Sequence, residues 1–150
     1  MAKNKEKKVP KSKAKIGLKK HPRIEEEPSF NREMISWHVS LLEVVAPFGW
    51  HAVHRDKLDE IRQKLSQFES QTWNEILIKG KKQNHTVSLV KLCPEARERL
   101  MELKQDDVEG VISLHLQGKE RIWGIRDKHI LKILWWDPDH LVCPSLKKHT

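Results

Sequence analysis

Cysteine is scarce in this 150-residue chain. Only Cys93 and Cys143 occur, too few for a disulfide framework, and a reducing compartment keeps both as thiols; they are read as small buried residues. Long hydrophobic runs are missing as well. No apolar stretch approaches the roughly 20 residues of a membrane span, and the lysine-rich start lacks the apolar region of a signal peptide. A soluble, cytoplasmic protein is expected. There is no glycine-rich phosphate loop, no GxSxG elbow and no convincing carboxylate pair, which argues against nucleotide hydrolysis and acyl transfer. CxxC and HExxH motifs are absent too. His51-Ala52-Val53-His54 and His140-Leu141-Val142-Cys143 offer ligand types at short spacing, but a closed zinc site wants four ligands in compatible geometry. No metal and no other cofactor is expected.

What the chain does have is charge, unevenly placed. Charged residues make up 33% of the sequence and the net charge is +8. Residues 1–23 hold ten Lys or Arg against one acid, Glu6, so the start carries +9 and the remainder sums to −1. A basic arm gives screened, sequence-independent attraction to phosphates, whereas a basic body would place cationic surface at a defined site. Residues 1–28 alternate lysine with small or polar residues, include Pro10, Pro22 and Pro28, and hold too little apolar surface to offset their ordering entropy. They read as a disordered basic arm ahead of one domain over 29–150. Within that domain, residues 110–150 are locally cationic, with seven Lys or Arg against four acids, plus His115, His129, His140 and His149.

The domain reads as α+β. Ile35, Trp37, Val39 and Leu41 alternate with Ser36, His38 and Ser40, which predicts a strand over Met34–Val44, broken by Ala46-Pro47-Phe48-Gly49-Trp50. Asp56 is placed to cap a helix with Leu58, Ile61, Leu65 and Phe68 on its apolar stripe. Thr72-Trp73-Asn74-Glu75 is a capping box opening a short helix. Thr86–Leu92 reads as a short extended stretch, and Pro94 starts a second long helix with Ala96, Leu100 and Leu103 on one side. Three strands then follow with turns too tight for a crossover helix, so they must be antiparallel neighbours: Ile112–Leu116, Arg121–Arg126 and His129–Trp136. Leu141–Cys143 would add a fourth. The expected architecture is an N-terminal strand and two to three helices packed on a C-terminal antiparallel sheet of three to four strands.

The run Leu116-Gln117-Gly118-Lys119-Glu120-Arg121-Ile122-Trp123-Gly124-Ile125-Arg126, then Ile133-Leu134-Trp135-Trp136-Asp137-Pro138-Asp139-His140 and Pro144-Ser145-Leu146-Lys147-Lys148-His149, resembles the RelE/ParE-like toxin superfamily. The resemblance covers residues 94–150 and lies in the pattern of strands and basic positions. It implies helices set before a twisted antiparallel sheet, and a ribonuclease that needs no metal, as in the toxin–antitoxin systems of bacteria and phages. Its partners would then be RNA, the ribosome and a cognate antitoxin protein. Cutting RNA by 2′-hydroxyl attack on the adjacent phosphate needs a base, cations for the phosphate oxygens and an acid for the leaving 5′-oxygen. Arg121 matches the family's sheet arginine and would clamp the phosphate, with Lys119 or Arg126 as a second cation. The chain has no tyrosine. His140 and His149 therefore take the place of the C-terminal tyrosine that several members use, since imidazole can serve as acid or base near neutral pH. Lys147 and Lys148 would hold backbone phosphates, and Trp136 would stack on a base.

A purely structural reading competes at each position. Arg121 and Arg126 also suit solvent-facing strand positions, His140 also suits a hydrogen bond within its own turn, and residues 147–149 sit at a terminus. Trp135 and Trp136 point to opposite faces of the sheet, so at least one belongs to the core. Two other functions compete with RNA cleavage: a non-catalytic nucleic-acid-binding module of the same fold, and a protein-interaction module that docks through Trp37, Trp50 and Trp73.

Overall fold

Three segments dense in isoleucine, leucine and tryptophan form the centre of the molecule, as expected for chain that is covered on both faces. In the computed structural model, which describes residues 29–144, they are β3 (Gly110–His115), β4 (Arg121–Asp127) and β5 (Ile130–Asp137), joined as an antiparallel meander. The basic arm and residues 145–150 lie outside the described residues. Two further strands complete a sheet of five in the order β1-β5-β4-β3-β2. β1 (Ser36–His38) runs parallel to β5, and β2 (His85–Ser88) runs antiparallel to β3. The fold is α+β; its sheet is mixed and five-stranded where the sequence suggested an antiparallel sheet of three to four strands.

The helices lie on both faces. On one, α1 (Arg55–Glu69) and the helical turn ending at Glu75–Lys79 bring Ile61, Phe68, Trp73 and Ile76 onto Ile112, Leu114, Ile122 and Trp136. On the other, α2 (Pro94–Glu102) brings Ala96 and Leu100 onto Val111, Trp123, Leu134 and Trp135. Residues 133 to 136 do not alternate regularly. Trp123 pairs with Trp135 while Gly124 pairs with Ile133, which leaves Leu134 as the extra residue of a bulge. Leu134 and Trp135 therefore both face α2, and Trp136 returns to the α1 side. Gly124 sits where a Cβ would come within 2.7 Å of the Lys132 carbonyl oxygen, so the bulged crossing needs glycine there.

Several sequence expectations change. The first strand ends at His38 because the chain turns, with Leu42 N–H donating to the Val39 carbonyl, and Val39 is exposed. The chain then returns to β5 farther along, where Glu43 N–H donates to the Leu134 carbonyl and Trp136 N–H to the Phe48 carbonyl. The cap of α1 is His54, whose Nδ1 accepts the Asp56 N–H at 3.2 Å; Asp56 lies inside the first turn, and Leu58 is exposed. The capping box forms as read, with Thr72 N–H donating to Glu75 Oε1 (2.8 Å) and Glu75 N–H to Thr72 Oγ1 (3.2 Å). Leu141–Cys143 is not a strand, since the Leu141 and Val142 N–H groups bind the Asp137 carboxylate instead of a ladder. Both cysteines are free and only partly buried. Trp73 is fully buried, and Trp37 and Trp50, partly buried, pack against the same core on the α1 face.

Candidate functional site

Alternation along β4 puts Arg121, Trp123 and Ile125 on the α2 face. Trp123 and Ile125 are buried there, while Arg121 reaches the end of the sheet, where α2 no longer covers it. Its cross-strand neighbours are His115 on β3 and Asp137 on β5. One strand farther out, His85 on β2 stands opposite Ser113. After β5 the chain folds back over this end. Asp137, 1% exposed, organises the return by accepting Leu141 N–H (2.8 Å), Val142 N–H (3.0 Å) and Trp123 Nε1–H (3.1 Å). That turn carries His140 with φ +60°, a left-handed conformation that histidine adopts more readily than most residues.

The result is two adjoining hollows that share Arg121 and His140. An inner cavity of about 250 Å³ is lined by His85, Ser113, Arg121, Trp123, His140 and Cys143. An outer cleft of about 440 Å³ is lined by Gly118, Lys119, Arg121, Asp139, His140 and Leu141. Arg121 is held by its own turn, where Nη1 donates to the carbonyls of Gly118 (2.7 Å) and Glu120 (3.0 Å). Gly118 supplies the positive φ of that turn. Burial pushes the Arg121 guanidinium below its ordinary pKa, and the Asp137 carboxylate acts in the opposite direction. His115 Nε2 lies 3.2 Å from the same Gly118 carbonyl. Burial, and then the charge of Arg121, hold its imidazole below the ordinary value of 6.5. The Glu120 carboxylate pairs with Lys57 of α1 at 2.8 Å.

Of the residues singled out in the sequence, the fold brings Arg121, Lys119 and His140 to one place. Arg126 is elsewhere, at the far end of β4 and on the opposite face. Its guanidinium lies over the Trp73 ring (4.2 Å from the centroid) and donates to the Lys128 carbonyl and to Asn31 Oδ1, each at 2.7 Å. It fastens the β4–β5 hairpin to the start of the domain. Trp136 is only 4% exposed and packs against Trp50, so it offers no face to a base. His149, Lys147 and Lys148 lie outside the described residues.

The fold adds His85, Ser113, His115 and Asp137, which the sequence reading did not place at the site. The position of His115 could have been found by counting outward from the Gly118-Lys119 turn, since a meander pairs residues symmetrically about its turn. His85 had no such signal, because β2 and β3 are separated by α2. Among the described residues no three potential ligands are grouped to hold a metal ion, and His54 serves as a helix cap. Comparison of the chain with protein-family models, with curated proteins and with solved structures found no match.

Proposed function

We propose that this protein is a metal-independent endoribonuclease of the RelE type, acting in the cytoplasm on RNA, free or on the ribosome, and restrained by an antitoxin. The observation that carries this reading is the convergence of Arg121, Lys119 and His140, drawn from a strand, a turn and a loop, on one cleft at the end of the sheet. A phosphodiester in that cleft would meet a fixed guanidinium for its non-bridging oxygens, an ammonium for a flanking phosphate and an imidazole for proton transfer. The order of elements also suits the resemblance, with helices before the meander, arginine on its middle strand and an apolar strand after it.

A non-catalytic RNA-binding module is the second reading, favoured by one feature: Arg121 Nη1 already donates to two carbonyls, leaving Nε and Nη2 for a ligand. The two readings separate in one experiment. Total RNA in EDTA, and ribosome-bound RNA in magnesium buffer, are incubated with the wild type and with Arg121→Ala, and cleavage and binding are followed together. The nuclease reading expects wild-type cleavage that persists under chelation and falls roughly 10²–10³-fold in the variant. Salt-sensitive RNA binding without cleavage by the wild type establishes the binding module instead.

A further inference from the structure

The ribonuclease reading leaves one chemical role unfilled. Transesterification at an RNA phosphate needs one group to take the proton of the 2′-hydroxyl and another to give a proton to the departing 5′-oxygen, on opposite sides of phosphorus. The described cleft supplies His140 for one of these. His115 does not suit the other, since it lines neither hollow and its Nε2 lies against the Gly118 carbonyl.

We propose that His85 is the second proton-transfer residue, so that His85 and His140 flank a phosphate held by Arg121 and act as an acid–base pair. The inference rests on the ribonuclease reading and goes beyond it. His85 lies on β2 and the His140 loop follows β5, with β3 and β4 between them. The loop folds back so that both imidazoles line the inner cavity, which also contains Arg121 and Ser113. The base and the acid thus come from elements on either side of the strand that carries the phosphate clamp, as an in-line displacement requires. Both positions are anchored. His85 follows buried Asn84, whose Nδ2 donates to the Ile76 carbonyl (3.2 Å) and whose Oδ1 accepts the His115 N–H (3.0 Å). His140 sits on the turn organised by Asp137.

In the step itself, the neutral imidazole of the pair takes the 2′-hydroxyl proton as the 2′-oxygen bonds to phosphorus. The bond from phosphorus to the 5′-oxygen breaks, and the protonated imidazole gives its proton to that oxygen. The products are a 2′,3′-cyclic phosphate and a 5′-hydroxyl, with no net uptake or release of protons and no change of oxidation state.

The test uses one RNA in two forms, natural and with sulfur replacing the 5′-bridging oxygen at the scissile linkage, because a thiolate leaves without an acid. The full chain is compared with His85→Ala and His140→Asn, in EDTA, with folding checked by circular dichroism. His85 is exposed, and asparagine tolerates the left-handed backbone at 140, so both variants are built to fold. The expected result is that each variant loses roughly 10² or more in rate on natural RNA. On the sulfur-bridged RNA, one variant regains the wild-type rate and is thereby the acid, while the other stays impaired and is the base. If His85→Ala cuts natural RNA at the wild-type rate, or if the sulfur-bridged RNA rescues both variants or neither, the pairing is wrong while the nuclease reading stands. A wild type that cuts neither RNA overturns the nuclease reading itself.

Discussion

Asp137 shows how one buried side chain can organise a site without touching a ligand. Its carboxylate accepts hydrogen bonds from two backbone N–H groups of the following turn and from the Trp123 indole. It also supports the charge of Arg121 across the strand pair. Replacing it with asparagine removes the negative charge and turns an NH2 group toward donors. Asp137→Asn is expected to lower stability by about 2–3 kcal/mol, since hydrogen bonds to a charged group are lost and donors are left unsatisfied. It should also reduce cleavage, because the turn that positions His140 loosens. Urea unfolding and the RNA assay check both effects, and an asparagine variant with wild-type stability and activity contradicts this role. Arg126 is the residue-scale counterexample. In sequence it looks equivalent to Arg121, five positions earlier on the same strand, yet odd spacing sends it to the other face, over Trp73.

At the scale of elements, a buried ion pair adds to the backbone hydrogen bonds that hold the segment between β1 and α1 against β5. Glu43, 6% exposed, accepts from Arg99 of α2 and from Trp135 Nε1 (2.9 Å), tying this segment to β5 and to the helix. Burial pushes the Glu43 carboxyl upward, but the hydrogen bonds from Arg99 and Trp135 and the charge of Arg99 prevail and hold it below its ordinary value of 4.5. A carboxyl depressed in the folded state stabilises the fold fully above its unfolded pKa and loses that contribution as pH falls through the folded value. Glu43→Gln is therefore expected to cost about 2 kcal/mol at neutral pH. The gap from wild type should narrow as pH drops below 4.5, measured by denaturant unfolding across pH. A gap that stays constant through that range contradicts the assignment.

The elements also differ in how legible they were. Helix α2, the capping box at Thr72 and the three-strand meander follow from local signals of proline, Thr/Glu spacing and tight turns, and they formed as read. The end of β1 was not legible, because Val39 and Leu41 continue the alternation and only tertiary contacts turn the chain away. The bulge at Leu134 was equally hidden, since Leu-Trp-Trp carries no local mark of an extra residue. At the site, Arg121 and Lys119 were visible as cations near turns and His140 as an acid or base candidate, whereas His85 joins them only through the pairing of β2 with β3.

For the whole molecule, the separation of charge matters more than its sum. The net charge of +8 arises from the first 23 residues, so the arm and the cleft can be tested apart. Removing residues 1–23 is expected to weaken RNA binding and to flatten its salt dependence, by about 0.7 in the log–log slope for each single-strand phosphate the arm neutralises. The rate of cleavage at saturating RNA should not change. Titrations from low to high salt check this, and an unaltered slope contradicts a phosphate-binding role for the arm. No helix among the described residues is long and apolar enough to cross a membrane.

Cleavage in the cleft would leave its signature in the chemistry of the cut ends. RNA treated with the purified full-length protein, free in EDTA and ribosome-bound in magnesium buffer, is analysed for its new termini. The expected fragments end in a 2′,3′-cyclic phosphate and begin with a 5′-hydroxyl, and Arg121→Ala forms them roughly 10²–10³-fold more slowly. Intact RNA, or fragments bearing 5′-phosphates, would contradict the nuclease reading.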